Sequence, residues 1–272
     1  METPGTIGPG MKGLLDYHLP RNRRRTIRDQ VREDLRRCDD RKALLVRYEH
    51  PSEALRLVVD LIVSRSYWRE SQISSLQDRL EREGLRQLTV DSLRGQEFRK
   101  VLREFDKNKK LQLVNHVENF LSQLEGHSMK TWLEQRHAKR LNNEQDPCLK
   151  AVAFGPKGID NLLRDCGFYD RAPIDIHEQR FLIRTGVFQR YSEFGDPTSK
   201  SDLHTALSNF CHAELTELND PDMSKPGIAD LAIWHFCARG EADVCGDRPE
   251  CGACPLNLYC EFGRTHSNRV VE

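Results

Sequence analysis

From Pro51 to Leu141 the apolar residues recur at helical spacing, and no other feature of this 272-residue chain constrains its fold so tightly. Side chains three and four positions apart share one face of a helix, so each stripe marks an amphipathic helix seeking a partner. Pro51-Ser52 reads as a helix start with Ser52 as its cap. Leu55, Leu57, Val58, Val59, Leu61, Ile62 and Val63 then make a segment apolar nearly all round, which suits a central buried helix. A second pattern runs through Ile73, Leu76 and Leu80 and stops near Gly84. Thr89-Val90-Asp91 opens a short third, and Phe98, Val101, Leu102 and Phe105 mark a fourth. Leu111, Val114, Val117, Phe120, Leu121 and Leu124 form a fifth ending at Gly126, and Met129, Trp132, Leu133 and Leu141 a sixth. Alternating β-branched runs are few and Asn-Gly turns are absent, so an all-α protein is expected.

With 38% hydrophobic and 31% charged residues, the chain can bury a core and is not disordered as a whole. No stretch approaches the roughly 20 apolar residues that span a bilayer, and the first residues lack an apolar signal core. An intracellular protein with no membrane partner is therefore expected. A prokaryotic cytoplasm or nucleoid is expected ahead of a nucleus. Lys plus Arg number 42 against 42 Asp plus Glu, so the molecule is no polycation, and any surface for a polyanion must concentrate its charge locally. Residues 1–10 are Gly- and Pro-rich and read as a loose tail. Arg21, Arg23, Arg24 and Arg25 then form a basic cluster ahead of charged, helix-like sequence to about His50.

Asp146 to Gly167 reads as two short helices joined by a tight turn. Leu149, Val152 and Ala153 lie on the first, Phe154-Gly155-Pro156-Lys157-Gly158 makes the turn, and Ile159, Leu162 and Leu163 give the second its apolar face. Gly155 can adopt the backbone a sharp turn demands, and Pro156 suits the opening of a helix. A helix start after a glycine turn offers amide N–H groups to a phosphate, although a plain connector has the same look.

Nine cysteines divide into five scattered ones (Cys38, Cys148, Cys166, Cys211, Cys237), expected as small buried hydrophobes, and four crowded near the end. Cys245-x5-Cys251-x2-Cys254-x5-Cys260 places four thiols within sixteen residues. A zinc site usually takes two close pairs far apart, whereas here one close pair sits between two single cysteines. A loop of that form can wrap a [4Fe–4S] cubane, one thiolate to each iron, with zinc as the alternative. Gly246, Asp247, Arg248, Pro249 and Gly252 mark the segment as an exposed loop. A cluster there need not do redox work; it can staple a loop too poor in apolar residues to fold alone.

The run Arg248-Pro249-Glu250-Cys251-Gly252-Ala253-Cys254-Pro255, with Tyr259-Cys260-Glu261, resembles the cluster loop of endonuclease III and the related adenine glycosylases. These belong to the helix-hairpin-helix–Gly/Pro–Asp superfamily of DNA base-excision glycosylases. Upstream, Phe154-Gly155-Pro156-Lys157, Gly167-Phe168 and Ile174-Asp175-Ile176-His177 are similar to that superfamily's hairpin, catalytic lysine and Val-Asp-x-His element. Seventeen residues separate Lys157 from Asp175, as in endonuclease III and the archaeal 8-oxoguanine glycosylases. The helix before Ser64-Arg65-Ser66-Tyr67-Trp68 looks like the first barrel helix. The likeness covers about residues 50–262. Four departures accompany it. Ala153 stands where a first glycine is usual, and the first two cysteines are five rather than six residues apart. Sixty-nine residues lie between Asp175 and Cys245, implying an insertion around Tyr191 to Asp222, and the loop near Ser64 lacks the usual glutamine.

The resemblance implies a two-lobed all-α fold: a helical barrel over 52–170 ending in the helix-hairpin-helix, and a second lobe joining the 1–51 segment to 171–272. It implies a monomeric, bifunctional DNA glycosylase/AP lyase acting on double-stranded DNA with a damaged base or abasic site. Lys157, neutral through burial and the positive end of its helix, would attack the deoxyribose C1′ and form a Schiff base. Asp175, ionised, would stabilise the sugar's growing positive charge. Gly155, Pro156 and Gly158 would meet DNA, and Arg65, Ser66 and Tyr67 would fill the gap left by the extruded nucleotide. Arg21 to Arg25, Lys139, Arg140, Arg248 and Arg264 are candidate phosphate contacts, and His177 a structural hydrogen-bonding residue. Cys245, Cys251, Cys254 and Cys260 would hold a [4Fe–4S] cluster. Two rivals stand beside this: a monofunctional glycosylase in which Asp175 activates water, and a non-catalytic iron–sulfur module that binds DNA structure.

Overall fold

The structure, a computed structural model, describes residues 6–64, 70–106, 112–193, 196–197 and 199–266. It is mostly helical, as the apolar period predicts. The chain divides into two compact units, Met1–Arg37 with Tyr169–Glu272, and Cys38–Phe168. Among the described residues, no helix is long and apolar enough to cross a membrane.

The first unit begins with α1 (Gly8–Leu15), so the expected loose tail is partly a packed helix. Ile7, Met11, Leu14 and Leu15 are fully buried. The glycines that suggested a tail serve close packing: a Cβ on Gly10 would stand 2.7 Å from Leu256 and 2.8 Å from Tyr259. A small antiparallel ribbon follows, β1 (His18–Leu19) against β2 (Asn22–Thr26). Then comes α2 (Ile27–Arg47), within which the chain passes from the first unit to the second.

The Cys38–Phe168 unit holds α3 (Ser52–Ser64), α4 (Glu70–Arg82), α5 (Val90–Arg94), α6 (Gln96–Phe105), α7 (Leu113–Gln123), α8 (Met129–Leu141), α9 (Pro147–Ala151) and α10 (Pro156–Asp165). Its core is one aliphatic and aromatic cluster centred on α3, which buries Ala54, Leu55, Val58, Val59, Ile62 and Val63 against α4, α7 and α10. Two details differ from the sequence reading. Ser52 does not cap α3: Pro51 offers its carbonyl to Ala54 and Leu55, and the Ser52 hydroxyl accepts the Leu88 amide at 2.7 Å. Nor is α3 apolar all round, since Asp60 accepts a hydrogen bond from Gln77 at 3.0 Å. Burial pushes the Asp60 carboxyl above its ordinary range. Thr89 caps α5 through a box closed by Ser92.

The first unit resumes with α11 (Ile176–Arg184), α12 (Val187–Tyr191), α13 (Lys200–Glu214), α14 (Pro226–Cys237), a 3-10 turn at Cys251–Ala253 and α15 (Glu261–His266). Residues of α14 are buried on nearly every side, which its Pro-Gly-Ile-Ala opening and apolar run allow. The segment read as an insertion builds α13, and Leu203, Ala206, Leu207 and Phe210 place it in the core. Its last residue, Glu214, accepts the Gly8 amide at 2.7 Å and the Tyr191 hydroxyl at 2.6 Å, fixing the start of α1.

Candidate functional site

The residues between α9 and α10 form a tight turn. Asp146 caps α9 by accepting the Cys148 amide at 3.1 Å. At the other end Phe154 donates to the Leu149 carbonyl at 2.8 Å and Ala153 to Lys150 at 3.1 Å, the paired bonds of a Schellman stop. That stop needs one left-handed residue, and Ala153 supplies it with φ 58°. The strained position therefore falls at Ala153, not at Gly155, whose φ of −82° is open to any residue. Leu149 and Phe154 are both buried in the core, the apolar contact that accompanies this stop. From α7, Asn119 donates to the Ala151 carbonyl at 3.0 Å and Gln123 to that of Cys148 at 3.0 Å.

Helix α10 then starts without a side-chain cap: Gly155 occupies the cap position and Pro156 the first turn. First-turn amides have no partner inside a helix, so they point outward with the positive end of the dipole. Gly155, Pro156 and Lys157 are exposed. The burial expected of Lys157 is thus not present. A Cβ on either Gly155 or Gly158 would meet nothing within 4 Å. Behind this open end α10 is firmly held, because Asp160 takes a two-pronged ion pair from Arg140 at 2.9 and 2.7 Å. Arg140 and Lys139, read as phosphate contacts, are thereby engaged within the protein; Lys139 lies 3.3 Å from Asp146.

Asp175 belongs to the other unit, and its side chain caps α11. It accepts the His177 amide at 2.7 Å and the Glu178 amide, while Glu178 Oε2 accepts the Asp175 amide at 2.8 Å. Lys200 donates to the Ile174 carbonyl at 3.0 Å, steadying the approach to the cap. Glu178 is 0% exposed and Asp230, on α14, 1%. Burial first, then the negative charge of Asp230, pushes Glu178 well above the carboxylate range. Neither acid stood out as functional in the sequence. The signals were there: an acid three residues after an Asp cap, and a lone acid inside an apolar helix. His177 Nδ1 is buried without a hydrogen-bond partner among the described residues, so its expected structural bond is not seen on that nitrogen. His177 lines a pocket of about 420 Å³ with Arg180, Arg239, Arg248, Asp243 and Asp247.

The four crowded cysteines line one cavity beside Arg184. They are less exposed than the loop residues suggested: Cys245 and Cys260 are buried, Cys251 and Cys254 half-buried. Arg184 donates to the carbonyls of Cys245 at 3.0 Å and Gly246 at 2.6 Å, and reaches the Cys245 sulfur at 3.7 Å. The Gly263 amide points at the Cys260 sulfur at 3.4 Å. A hydrogen bond from Cys237, then the Arg184 guanidinium, draws the Cys245 thiol below its ordinary range, whereas burial drives Cys254 up to about 12. The four thiols thus line one cavity, and the Cys245 and Cys260 sulfurs each face an N–H group. Among the described residues, no group of three or more His, Cys, Asp or Glu side chains is placed so that it could hold a metal ion. Arg65, Ser66 and Tyr67, the expected wedge, lie outside the described residues.

No protein-family profile matches the chain, and no solved structure matches it. A stretch of 97 residues is 35% identical to a cysteine–tRNA ligase of a Nitratiruptor species, covering 35% of this chain. The chain spans only 18% of that ligase's length.

Proposed function

We propose that the protein is a bifunctional DNA glycosylase/AP lyase of base-excision repair, acting on duplexes with a damaged base or abasic site. The observation that carries this reading is the start of α10: an uncapped, exposed helix end after a Schellman turn, with an amine on its second residue. In this reading α9–α10 is a helix-hairpin-helix whose amides take a DNA phosphate. The target nucleotide is turned out of the duplex, Lys157 in its neutral form attacks C1′, and the base leaves with its bonding electrons. The resulting Schiff base allows β-elimination of the 3′ phosphate. Asp175, fixed by the capping box, sets its negative charge against the cationic sugar. The thiolates of Cys245, Cys251, Cys254 and Cys260 would hold the [4Fe–4S] cluster, which supplies a staple for the surrounding loop.

Borohydride trapping tests the reading. The wild type is expected to give a covalent protein–DNA adduct on duplexes carrying single damaged bases, and Lys157→Gln none. A broad visible absorption of the purified protein distinguishes the cluster from zinc. The exposure of Lys157 favours one second reading, in which Asp175 activates water and Lys157 only holds phosphate. That reading yields base release without a trapped adduct. Binding with neither release nor adduct would leave a non-catalytic DNA-binding module.

A further inference from the structure

Asp175, Glu178 and Asp230 bring three carboxyls together at the start of α11, two of them fully removed from water. Glu178 Oε2 is used by the Asp175 amide at 2.8 Å, while Oε1 is buried with no hydrogen-bond partner among the described residues. The reciprocal bonds of the capping box, the Asp175 amide to Glu178 Oε2 and the Glu178 amide to the Asp175 carboxylate, hold the two carboxyls side by side. Two carboxylates at that range repel, and burial magnifies the repulsion; one proton between them turns it into a bond. We propose that Glu178 is a positioning residue that carries one proton in the folded protein, accepting the Asp175 amide through Oε2 and donating toward the Asp175 carboxylate, so that Asp175 keeps the negative charge.

The surroundings agree. Of the elements packed against α11, α14 brings the buried Asp230 toward Glu178, which disfavours a charge there, while the buried Arg171 sits in the loop ahead of α11. Arg190 on α12 is 3.4 Å from Glu214, Glu261 on α15 lies against Gly186, and His204 on α13 is buried. On α11 itself, Arg184 is turned to the Cys245 and Gly246 carbonyls. The upward push on Glu178 by burial and Asp230 is the direction this assignment needs.

The role of Asp175 rests on the glycosylase reading, but the proton on Glu178 does not, and the two can be tested apart. Gln at this position keeps the capping-box acceptor and mimics the neutral acid. A raised folded-state value makes the wild type's added stability complete at acid pH and lost as pH rises through that value. The melting temperature of Glu178→Gln should therefore gain on the wild type from acid to neutral pH, by about 3 °C or more. Infrared spectra at neutral pH should show protonated-carboxyl absorption in the wild type that Glu178→Gln lacks. Adding Asp230→Asn to both proteins should narrow the pH-dependent gap between them. A gap that moves the other way, or no lost infrared band, overturns the assignment. In single-turnover base release, Glu178→Ala should lower the rate about tenfold or more and Gln should recover most of it; Gln as poor as Ala also overturns it. An inactive wild type would sink the glycosylase reading alone, leaving the melting and infrared data to decide the proton.

Discussion

Helices α10 and α11 begin in opposite ways. Any helix start leaves amides without intrahelical partners and a partial positive charge at its end. In α10 the positions that face this charge are Gly155, Pro156, Lys157 and Gly158, which offer no carboxylate and no capping oxygen. In α11 the protein supplies its own anion: Asp175 takes the amides, Glu178 closes the box, and the assembly is backed by buried Asp230. The first arrangement is open to an anion from outside; the second holds a carboxylate in a fixed orientation. What distinguishes them is thus which partner brings the negative charge.

The largest expected effect comes from separating cap from charge at α11. Asn caps a helix about as well as Asp, so Asp175→Asn should leave the melting temperature near that of the wild type. The negative charge is lost, however, and base release should fall by roughly 10²–10³-fold, about 3–4 kcal/mol on the barrier. Single-turnover assays beside thermal melts would show it. Retained activity with retained stability would reduce Asp175 to a helix cap.

Much of this contrast could be read in the sequence, for definable reasons. The helices from α3 to α8 follow the apolar period, because burying a stripe is what those segments gain by folding. Asp175 as a cap ahead of Glu178 follows from local chemistry alone. Reading failed where a distant contact decided the outcome. Gly8 and Gly10 look like tail residues until Glu214, Leu256 and Tyr259, more than two hundred residues away, close on them. Ser52 is a good cap by type, yet its hydroxyl serves Leu88. Ala153 takes the left-handed turn position because the Schellman bonds and the burial of Leu149 and Phe154 outweigh the strain on one Cβ, about 1–2 kcal/mol. The exposure of Lys157 was equally out of reach, since period and spacing say nothing about what covers a turn.

A second way to sharpen the comparison lies behind the open end. If α10 is to present its start to a ligand, it must be held elsewhere, and the Arg140–Asp160 pair is the evident clamp. Asp160 is 3% exposed and Arg140 is half-buried beside it, so Asp160→Asn leaves the guanidinium with half of this interaction. Removing one member of such a pair should cost about 3 kcal/mol, read by chemical denaturation. A loss below about 1 kcal/mol would place the anchoring of α10 in its apolar face, through Ile159, Leu162 and Leu163.

The smallest effect is the most selective, because stability and binding should move in opposite directions. Gly158 sits in the first turn of α10, where a glycine weakens a helix by about 0.5–1 kcal/mol relative to alanine. Nothing within 4 Å would obstruct a methyl group, and the residue lies within the regular helix. Packing gives no reason for a glycine there. Close approach of an external anion to the first-turn amides does give one, since a Cβ would stand in the way. Gly158→Ala should therefore raise the unfolding free energy by about 0.5–1 kcal/mol while weakening affinity for an abasic-site duplex several-fold. Titration of labelled duplex beside a denaturant melt measures both. A variant that is more stable and binds as well as before would mean that the open end of α10 is not where the phosphate sits.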